Sequence, residues 1–459
     1  MTDTRRQRTS ITAIILASGS GARFKGNSLK QFAKLAGFPV IIHTLKTFEI
    51  SPAIDRIIVV SHETYVDHVW ELVNKYGLGK VKKVVPGGAT RQESSRSGLE
   101  CCDGPTDYVM IHDSVRPFVT HTIIDALAEA VMIHKAVDTV IPSADTLVEV
   151  DGEGFIRNIP DRSSFRRGQT PQAFAYPLIL NAHRRAVADG IQNATDDCSL
   201  VLRLGSPVFT VEGHDENIKI TYPLDLHLAD KLFQLKMQSL TAGDRISAEL
   251  KDKVYMIIGG TSGIGKALCG LLKDISGHVY NFSRSTPVMV DVCRPETIRT
   301  AVEHVLEREG ALDFVVNCSG DLIRKNVEFT TMEEWQHIFD TNINGSFHLA
   351  KVVIPVFKRQ NRGSLLFIGS SSYTRGRGGY AAYSSSKAAL VNFCQALSEE
   401  VEDFNIRVNL VSPGRVRTPL RFRNFGNEEP GTLLEAESVA KQILQALVTQ
   451  TTGSIFEIR

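Results

Sequence analysis

A short apolar strand that runs into a glycine-rich turn and then a helix occurs twice in this chain. Ile11–Ala17 leads into Ser18-Gly-Ser-Gly-Ala-Arg-Phe24, and Val254–Ile258 leads into Gly259-Gly-Thr-Ser-Gly-Ile-Gly265. Each start opens a strand's carboxyl end onto a helix N-terminus, where open α/β sheets take their ligands. The two turns differ in sequence, so they read as two domains with different tasks rather than a duplication. A length of 459 residues agrees, at roughly 150 per domain.

Further apolar runs alternate with helix-length segments. In the first half they are Ile54–Val60, Tyr108–Ile111 and Val137–Pro142. In the second they are His278–Phe282, Phe314–Val316, Ser364–Ile368 and Ile406–Leu410. Such spacing predicts parallel sheets covered on both faces, hence two doubly wound α/β domains. A helix is expected over Leu226–Leu240, broken by Thr-Ala-Gly-Asp at 241–244. The expected organisation is a flexible 1–10, a first domain over 11–235, a linker over 236–251 and a second domain over 252–459.

Charge and cysteine usage narrow the classes of function. Lys plus Arg is 52 against 51 Asp plus Glu, a net charge of +1. That argues against a nucleic-acid binder, while a locally basic pocket can still take small anions. The seven cysteines are odd in number and include no C-x-x-C, which reads as a reduced cytoplasmic protein without structural zinc. No apolar run reaches the ~18 residues of a membrane span, so no membrane partner is expected. Arg5, Arg6 and Arg8 before Ile11–Ala17 superficially resemble a secretory signal. A buried first strand is the better reading, because removing it would destroy the motif that follows.

The first motif carries the residues of phosphoryl chemistry. Small residues at Ala17, Ser18 and Gly19 let backbone N–H groups approach phosphate oxygens. Arg23 and Lys30 can neutralise a triphosphate and the leaving pyrophosphate. Gly87-Gly-Ala-Thr-Arg-Gln-Glu-Ser94 joins Gly88, Arg91 and Ser94 at a loop-to-helix start. Ile111-His-Asp-Ser-Val-Arg-Pro117 puts Asp113 just after a strand. There it can hold Mg²⁺ for the phosphates, or act as an ordinary loop or capping carboxylate. Gln169-Thr-Pro-Gln-Ala-Phe174, Thr195-Asp-Asp197 and Asn217-Ile-Lys-Ile-Thr221 complete the set. Lys219 faces an acceptor phosphate, or else sits on a solvated strand end.

The second motif carries the residues of hydride transfer. Gly259, Gly263, Ile264 and Gly265 form a tight turn that brings a pyrophosphate to a helix N-terminus. Its second strand ends in Ser283-Arg284 rather than an acidic residue, which suits a 2′-phosphate and predicts NADPH. Tyr383-Ser-Ser-Ser-Lys387 places a phenol and an ammonium on one helix face, and a nearby cation lowers a phenol's pKa. Ser370, Asn342, Asn317-Cys-Ser-Gly320 and Ser412-Pro-Gly414 accompany the pair in order.

On these residues, the stretch from 11 to about 235 resembles the cytidylyltransferases that activate methylerythritol phosphate and ribitol 5-phosphate with CTP. The resemblance implies a nucleotidyltransferase domain of Rossmann-like fold. Ala17, Ser18, Gly88 and Ser94 would surround the cytosine and ribose, and Arg23 and Lys30 would bind the triphosphate. Asp113 would hold Mg²⁺ with help from Asp215 or Glu216, and Arg162 and Lys219 would hold the sugar phosphate and the pentavalent phosphorus. Ser18 and Leu29 depart from the usual Ala and Pro, which bears on base and acceptor specificity.

Residues 252–459 resemble the short-chain dehydrogenase/reductase family and its NAD(P)-binding Rossmann fold. That implies Tyr383 as general acid, Ser370 orienting the carbonyl oxygen, Lys387 on tyrosine and ribose, and Asn342 in the proton relay. Asp291 would contact the adenine. Asn317-Cys-Ser-Gly320 replaces the common Asn-Asn-Ala-Gly, and the short segment after Thr418 curtails the usual lid. A small phosphorylated substrate fits such a lid. Arg324, Lys325, Arg375 and Arg377 are spare cations that either hold a phosphate or keep the surface soluble.

As a whole the chain resembles the bifunctional reductase–pyrophosphorylases of bacterial capsule synthesis. The implied reactions are D-ribulose 5-phosphate to D-ribitol 5-phosphate with NADPH, then CDP-ribitol and pyrophosphate from CTP. Both resemblances favour a homodimer. Methylerythritol phosphate is the alternative acceptor, and an NADPH-sensing scaffold is the alternative class.

Overall fold

The computed structural model describes residues 9–19, 29–238, 248–429 and 431–458. Arg23 and the basic 1–8 lie outside these residues. The chain divides between Ala229 and Asp230 into two compact units.

In the first unit the strands are β1 (Ile11–Ala17), β2 (Arg56–Ser61), β3 (Val81–Pro86) and β4 (Tyr108–Asp113). They continue as β5 (Ala136–Pro142), β6 (Arg166–Gly168), β7 (Gln172–Ala175) and β8 (Phe209–Glu212). Their order is β6-β5-β7-β4-β1-β2-β3, with β8 also on β5. All seven residues of β1 are buried, as expected of a central strand. The strand's pleat sends successive side chains to opposite faces. Ala13 and Ile15 accordingly join one core cluster, and Ile14 and Leu16 the other.

The expectation of a parallel sheet needs correction here. β7 runs antiparallel to β4 and β5, and β6 antiparallel to β5. After β5 the chain leaves the sheet through a small hairpin, Glu149–Val150 with Ile156–Asn158, and returns with no crossover helix. A return of that kind reverses the strand direction, whereas a parallel return needs a crossover of a dozen or more residues. The apolar run at Gln172–Ala175 carries no mark of its direction.

The second unit is parallel throughout. Its strands are β9 (Tyr255–Ile258), β10 (Val279–Phe282), β11 (Phe314–Asn317), β12 (Gly363–Ile368), β13 (Ile406–Pro413) and β14 (Ile455–Ile458). They are ordered β10-β9-β11-β12-β13-β14. Met256 and Ile258 pack on one face of the sheet, Tyr255 and Ile257 on the other. The helix expected over Leu226–Leu240 spans Pro223–Gln238, and its Lys231 pairs with the buried Glu457 of β14 at 2.8 Å. Tyr373 donates its hydroxyl to the same carboxylate at 2.9 Å. Among the described residues no helix is long and apolar enough to cross a membrane.

Both sheets reverse their strand order beside the first strand, β1 next to β4 and β9 next to β11. Ligands of open α/β sheets bind at the carboxyl ends of strands at such a reversal. Register sets what meets there: Leu16 lies opposite Asp113, and Ile258 opposite Asn317.

Candidate active sites

In the first unit, β1 delivers Ala17 and Ser18 to the rim. Ser18 donates its hydroxyl to that of Ser94 at 2.7 Å. Ser94 sits in the first turns of the helix Arg91–Glu100, whose start is fixed by a reciprocal cap between Thr90 and Glu93. The two loops approach so closely that a Cβ on Gly87 would stand 2.5 Å from that of Ser18, so only glycine fits. The Gly88 N–H donates to the Ser94 hydroxyl at 3.2 Å. Gln31, next to Lys30, donates to the carbonyls of Ala17 at 2.8 Å and Gly19 at 3.4 Å.

Asp113 ends β4 and is almost fully buried among cations. Lys219 Nζ lies 2.8 Å away, Arg116 Nε 3.6 Å and Arg91 Nε 3.8 Å. Burial alone would raise its carboxyl, but Lys219, Arg91 and Arg116 outweigh that and hold it far below the usual carboxylate range. Arg91 is itself anchored, donating from Nη1 to Asp197 at 2.7 Å. Ser95 and His183 complete the shell of that buried carboxylate, at 2.7 and 2.8 Å. Arg116 donates to the Asn217 carbonyl at 2.8 Å. The Asn217 amide donates in turn to Gln169 and to the Thr170 carbonyl. Five motifs far apart in sequence thus meet around Asp113.

Two residues stand apart from this cluster. Arg162 is exposed on a single 3-10 turn and donates to the Ala144 carbonyl at 3.2 Å. Asp215, expected to help hold the metal, is 83% exposed and faces Arg167 at 3.3 Å. Among the described residues no three His, Cys, Asp or Glu converge as a metal site. Arg116 and Asp197 received no role from the sequence. The signal was their place inside His-Asp-Ser-Val-Arg, read only for Asp113, and Thr-Asp-Asp, which marked the site without a role for any one residue.

In the second unit, β9 runs into Gly259, whose φ of +78° suits glycine. A Cβ on Gly265 would lie 2.4 Å from the Gly259 carbonyl oxygen, so the turn and the helix Gly263–Lys273 can meet only without one. That helix start opens on a cleft of about 980 Å³. Gly259, Gly263, Ile264, Gly265, Ser370, Tyr383 and Lys387 all line it. The glycine cradle and the helix N-terminus fit a dinucleotide pyrophosphate.

Tyr383 and Lys387 share a face of the helix Ala381–Glu400, with Nζ 5.8 Å from the phenol centroid. Ser370, at the end of β12, hydrogen-bonds to Tyr383. Lys387 donates to the Ile368 carbonyl at 2.9 Å, and burial lowers its pKa to about 8. The tyrosine does not show the lowered pKa expected of it. Burial disfavours the phenolate and raises Tyr383, with the Ser370 hydrogen bond only partly opposing. The Lys387 ammonium is spent on a backbone carbonyl instead.

Asn342 lies in a single π-turn, Asp340–Asn344, buried and bonded to the Asp321 carbonyl and to Ser386, both at 2.9 Å. A Cβ on Gly320 would meet Asn342 Oδ1 at 3.2 Å and Lys387 Nζ at 3.4 Å, which puts both groups beside one point of the cleft wall. Asn317 closes its own turn, accepting from Ser319 N–H and hydroxyl at 3.1 and 2.6 Å. Ser283 and exposed Arg284 end β10, and Asp291 accepts from the Cys293 N–H at 3.0 Å. None of these four lines the cleft itself. Arg377 does, and so do Arg415 and Arg421, which the sequence analysis did not single out.

Fold and sites together define a two-domain enzyme: a nucleotidyltransferase of mixed sheet, then a reductase of parallel sheet. Residues 11–235 match the family model of 2-C-methyl-D-erythritol 4-phosphate cytidylyltransferase, and residues 253–429 that of short chain dehydrogenase. Over 454 residues the chain is 38% identical to the bifunctional ribulose 5-phosphate reductase/CDP-ribitol pyrophosphorylase Bcs1 of Haemophilus influenzae. That match covers 97% of this chain and 95% of the relative. The chain belongs to this family of bifunctional enzymes. Its first half alone is 41% identical to a ribitol-5-phosphate cytidylyltransferase of Vibrio parahaemolyticus, covering 47% of this chain and 92% of that protein. It is also 41% identical to a 2-C-methyl-D-erythritol 4-phosphate cytidylyltransferase of Syntrophus aciditrophicus, covering 48% and 94%. The short-chain dehydrogenase half implies a nicotinamide dinucleotide.

Proposed function

We propose that the enzyme reduces D-ribulose 5-phosphate to D-ribitol 5-phosphate with NADPH and joins the product to CTP, giving CDP-ribitol and pyrophosphate. The observation that carries this reading is the match to a bifunctional relative along nearly the whole of both chains. The first half by itself is equally close to transferases of two acceptors, so the reductase beside it decides for the pentitol phosphate.

In the transferase, an acceptor phosphate oxygen attacks the α-phosphorus of CTP. One P–O bond forms and the bond to the β-phosphate breaks, releasing pyrophosphate. The attacking oxygen is already anionic, so catalysis rests on positioning and cationic stabilisation. Lys219 meets the charge that grows on the α-phosphoryl oxygens, while Lys30 and Arg23 take the β- and γ-phosphates. Ser18, Gly88 and Ser94 hold the nucleoside, and Arg162 meets the acceptor phosphate only if its exposed turn moves towards Asp113. A single buried carboxylate beside a phosphate site suits Mg²⁺, which keeps waters and phosphate oxygens as its other ligands. Asp113 would hold that ion, which would supply further charge neutralisation.

In the reductase, NADPH supplies the hydride when bound, with Ser283 and Arg284 on its 2′-phosphate and Asp291 on its adenine. Tyr383 gives its proton to the carbonyl oxygen, which Ser370 orients. Lys387 holds the ribose, and Asn342 connects it to the proton supply. CTP and NADPH are both cytoplasmic metabolites, which supports a cytoplasmic enzyme, and we expect it to act as a homodimer.

The test is one assay of purified enzyme with Mg²⁺. NADPH should be consumed with D-ribulose 5-phosphate, and pyrophosphate should appear only once CTP is added. Formation of pyrophosphate from methylerythritol phosphate in preference to ribitol 5-phosphate would refute the acceptor. The Lys387 pKa of about 8 carries a pH prediction. Below it the ammonium is charged and active; above it the charge is lost. Reductase kcat/KM should therefore fall about tenfold per unit above pH ~8. A descending limb above pH 10 would assign that limb to the raised Tyr383 instead.

A further inference from the structure

A cluster of arginines stands at the reductase cleft with its own carboxylate in their midst. Arg421, in the short helix Pro419–Phe425, donates from Nε and Nη2 to the two oxygens of Glu428 at 2.6 and 2.8 Å. Arg415 Nη1 approaches the same carboxylate at 3.7 Å. Arg421 stacks 3.6 Å from the Phe425 ring centroid, and Arg324 lies 4.8 Å from it. The Arg421 hydrogen bond, then the charges of Arg421, Arg415 and Arg324, hold Glu428 below the usual carboxylate range. Arg421 and Arg415 line the cleft beside Tyr383, and the charge of Arg421 acts on that phenol.

This is a bidentate anion site whose Arg421 and Arg415 share the cleft wall with Tyr383, and the short helix carrying Arg421 starts beside the turn at Gly263, where a Cβ would meet Thr418 at 3.1 Å. Only one anion in the reaction has to sit near the reacting carbonyl without belonging to the dinucleotide, namely the terminal phosphate of the sugar. We infer that Arg421, with Arg415 and Arg324, binds the phosphate monoester of the ketose substrate, and that Glu428 occupies this site in its stead until the phosphate displaces it. The inference rests on the reading of the second unit as a ketose phosphate reductase. A planar guanidinium fork matches phosphate and carboxylate alike, which is why one can replace the other. Phe425 fixes the plane of the fork, so less freedom is lost on binding.

The experiment uses the full-length enzyme with NADPH and compares kcat/KM for D-ribulose 5-phosphate with that for D-ribulose. The wild-type ratio should be large, and Arg421→Met should lower it at least a hundredfold, with Arg421→Lys recovering part. Partial unfolding lowers both rates and cancels in the ratio. Glu428→Gln removes the competing charge and should lower KM for D-ribulose 5-phosphate several-fold. An unchanged ratio in Arg421→Met overturns the phosphate site, and a raised KM in Glu428→Gln overturns the displacement. A wild type that reduces neither sugar removes the ketose reading itself, a result distinct from either.

Discussion

Tyr383→Phe is expected to lower NADPH-dependent reduction of D-ribulose 5-phosphate by about 10³- to 10⁴-fold and to leave cytidylyl transfer at the wild-type rate. The change removes one oxygen from a ring that stays packed on its helix, so the cleft keeps its shape. What is lost is the proton that the carbonyl oxygen needs as it becomes an alkoxide, and general acids contribute about 10²- to 10⁴-fold. The upper part of that range applies because Tyr383 is raised by burial and so remains protonated at neutral pH. Ser370 would remain as a donor to the alkoxide, but a serine hydroxyl is a far weaker acid. Steady-state rates of NADPH loss and of pyrophosphate release, measured on the same preparation, check both halves. A scaffold that merely senses NADPH would keep its function after this substitution.

Asp113→Ala should do the reverse, lowering CDP-ribitol formation by about 10²- to 10³-fold while NADPH oxidation continues. Asp113 touches Lys219 at 2.8 Å and lies within 4 Å of Arg116 and Arg91. Without it these cations repel one another and lose the fixed positions from which, in the proposed mechanism, they would meet the α-phosphorus. Asp113→Asn separates charge from shape, because the amide keeps the volume but not the negative charge. If charge is what matters, for the cations and for Mg²⁺ alike, Asn should be nearly as damaging as Ala. Calorimetry then distinguishes a folded, inactive transferase from an unfolded one. Loss of both activities from either the Tyr383 or the Asp113 change, in folded protein, would refute two independent sites.

The sequence was most legible where a strand ends in a distinctive turn. Ile11–Ala17 is a strand over the residues expected, because seven consecutive apolar or small residues followed by glycines leave little else. Motif order also brought Asp113, Lys219, Arg91 and Ser94 to one place, and Ser370, Tyr383 and Lys387 to another. Strand direction was not legible, since Gln172–Ala175 looks the same run either way. Nor was the tyrosine's ionisation, which depends on where the Lys387 ammonium points. The arginines around Glu428 escaped notice for a similar reason. Arg415 and Arg421 look like surface cations until the fold turns them towards the cleft.

The tie between Lys231 and the last strand bears on any attempt to separate the two activities. A reductase expressed alone from Lys253, where the family match begins, would lack the ammonium that neutralises Glu457 next to the terminus. Severing instead just upstream of Asp230 keeps that partner, so the isolated catalyst should tolerate heat better with these helical residues, 230–238, than without them.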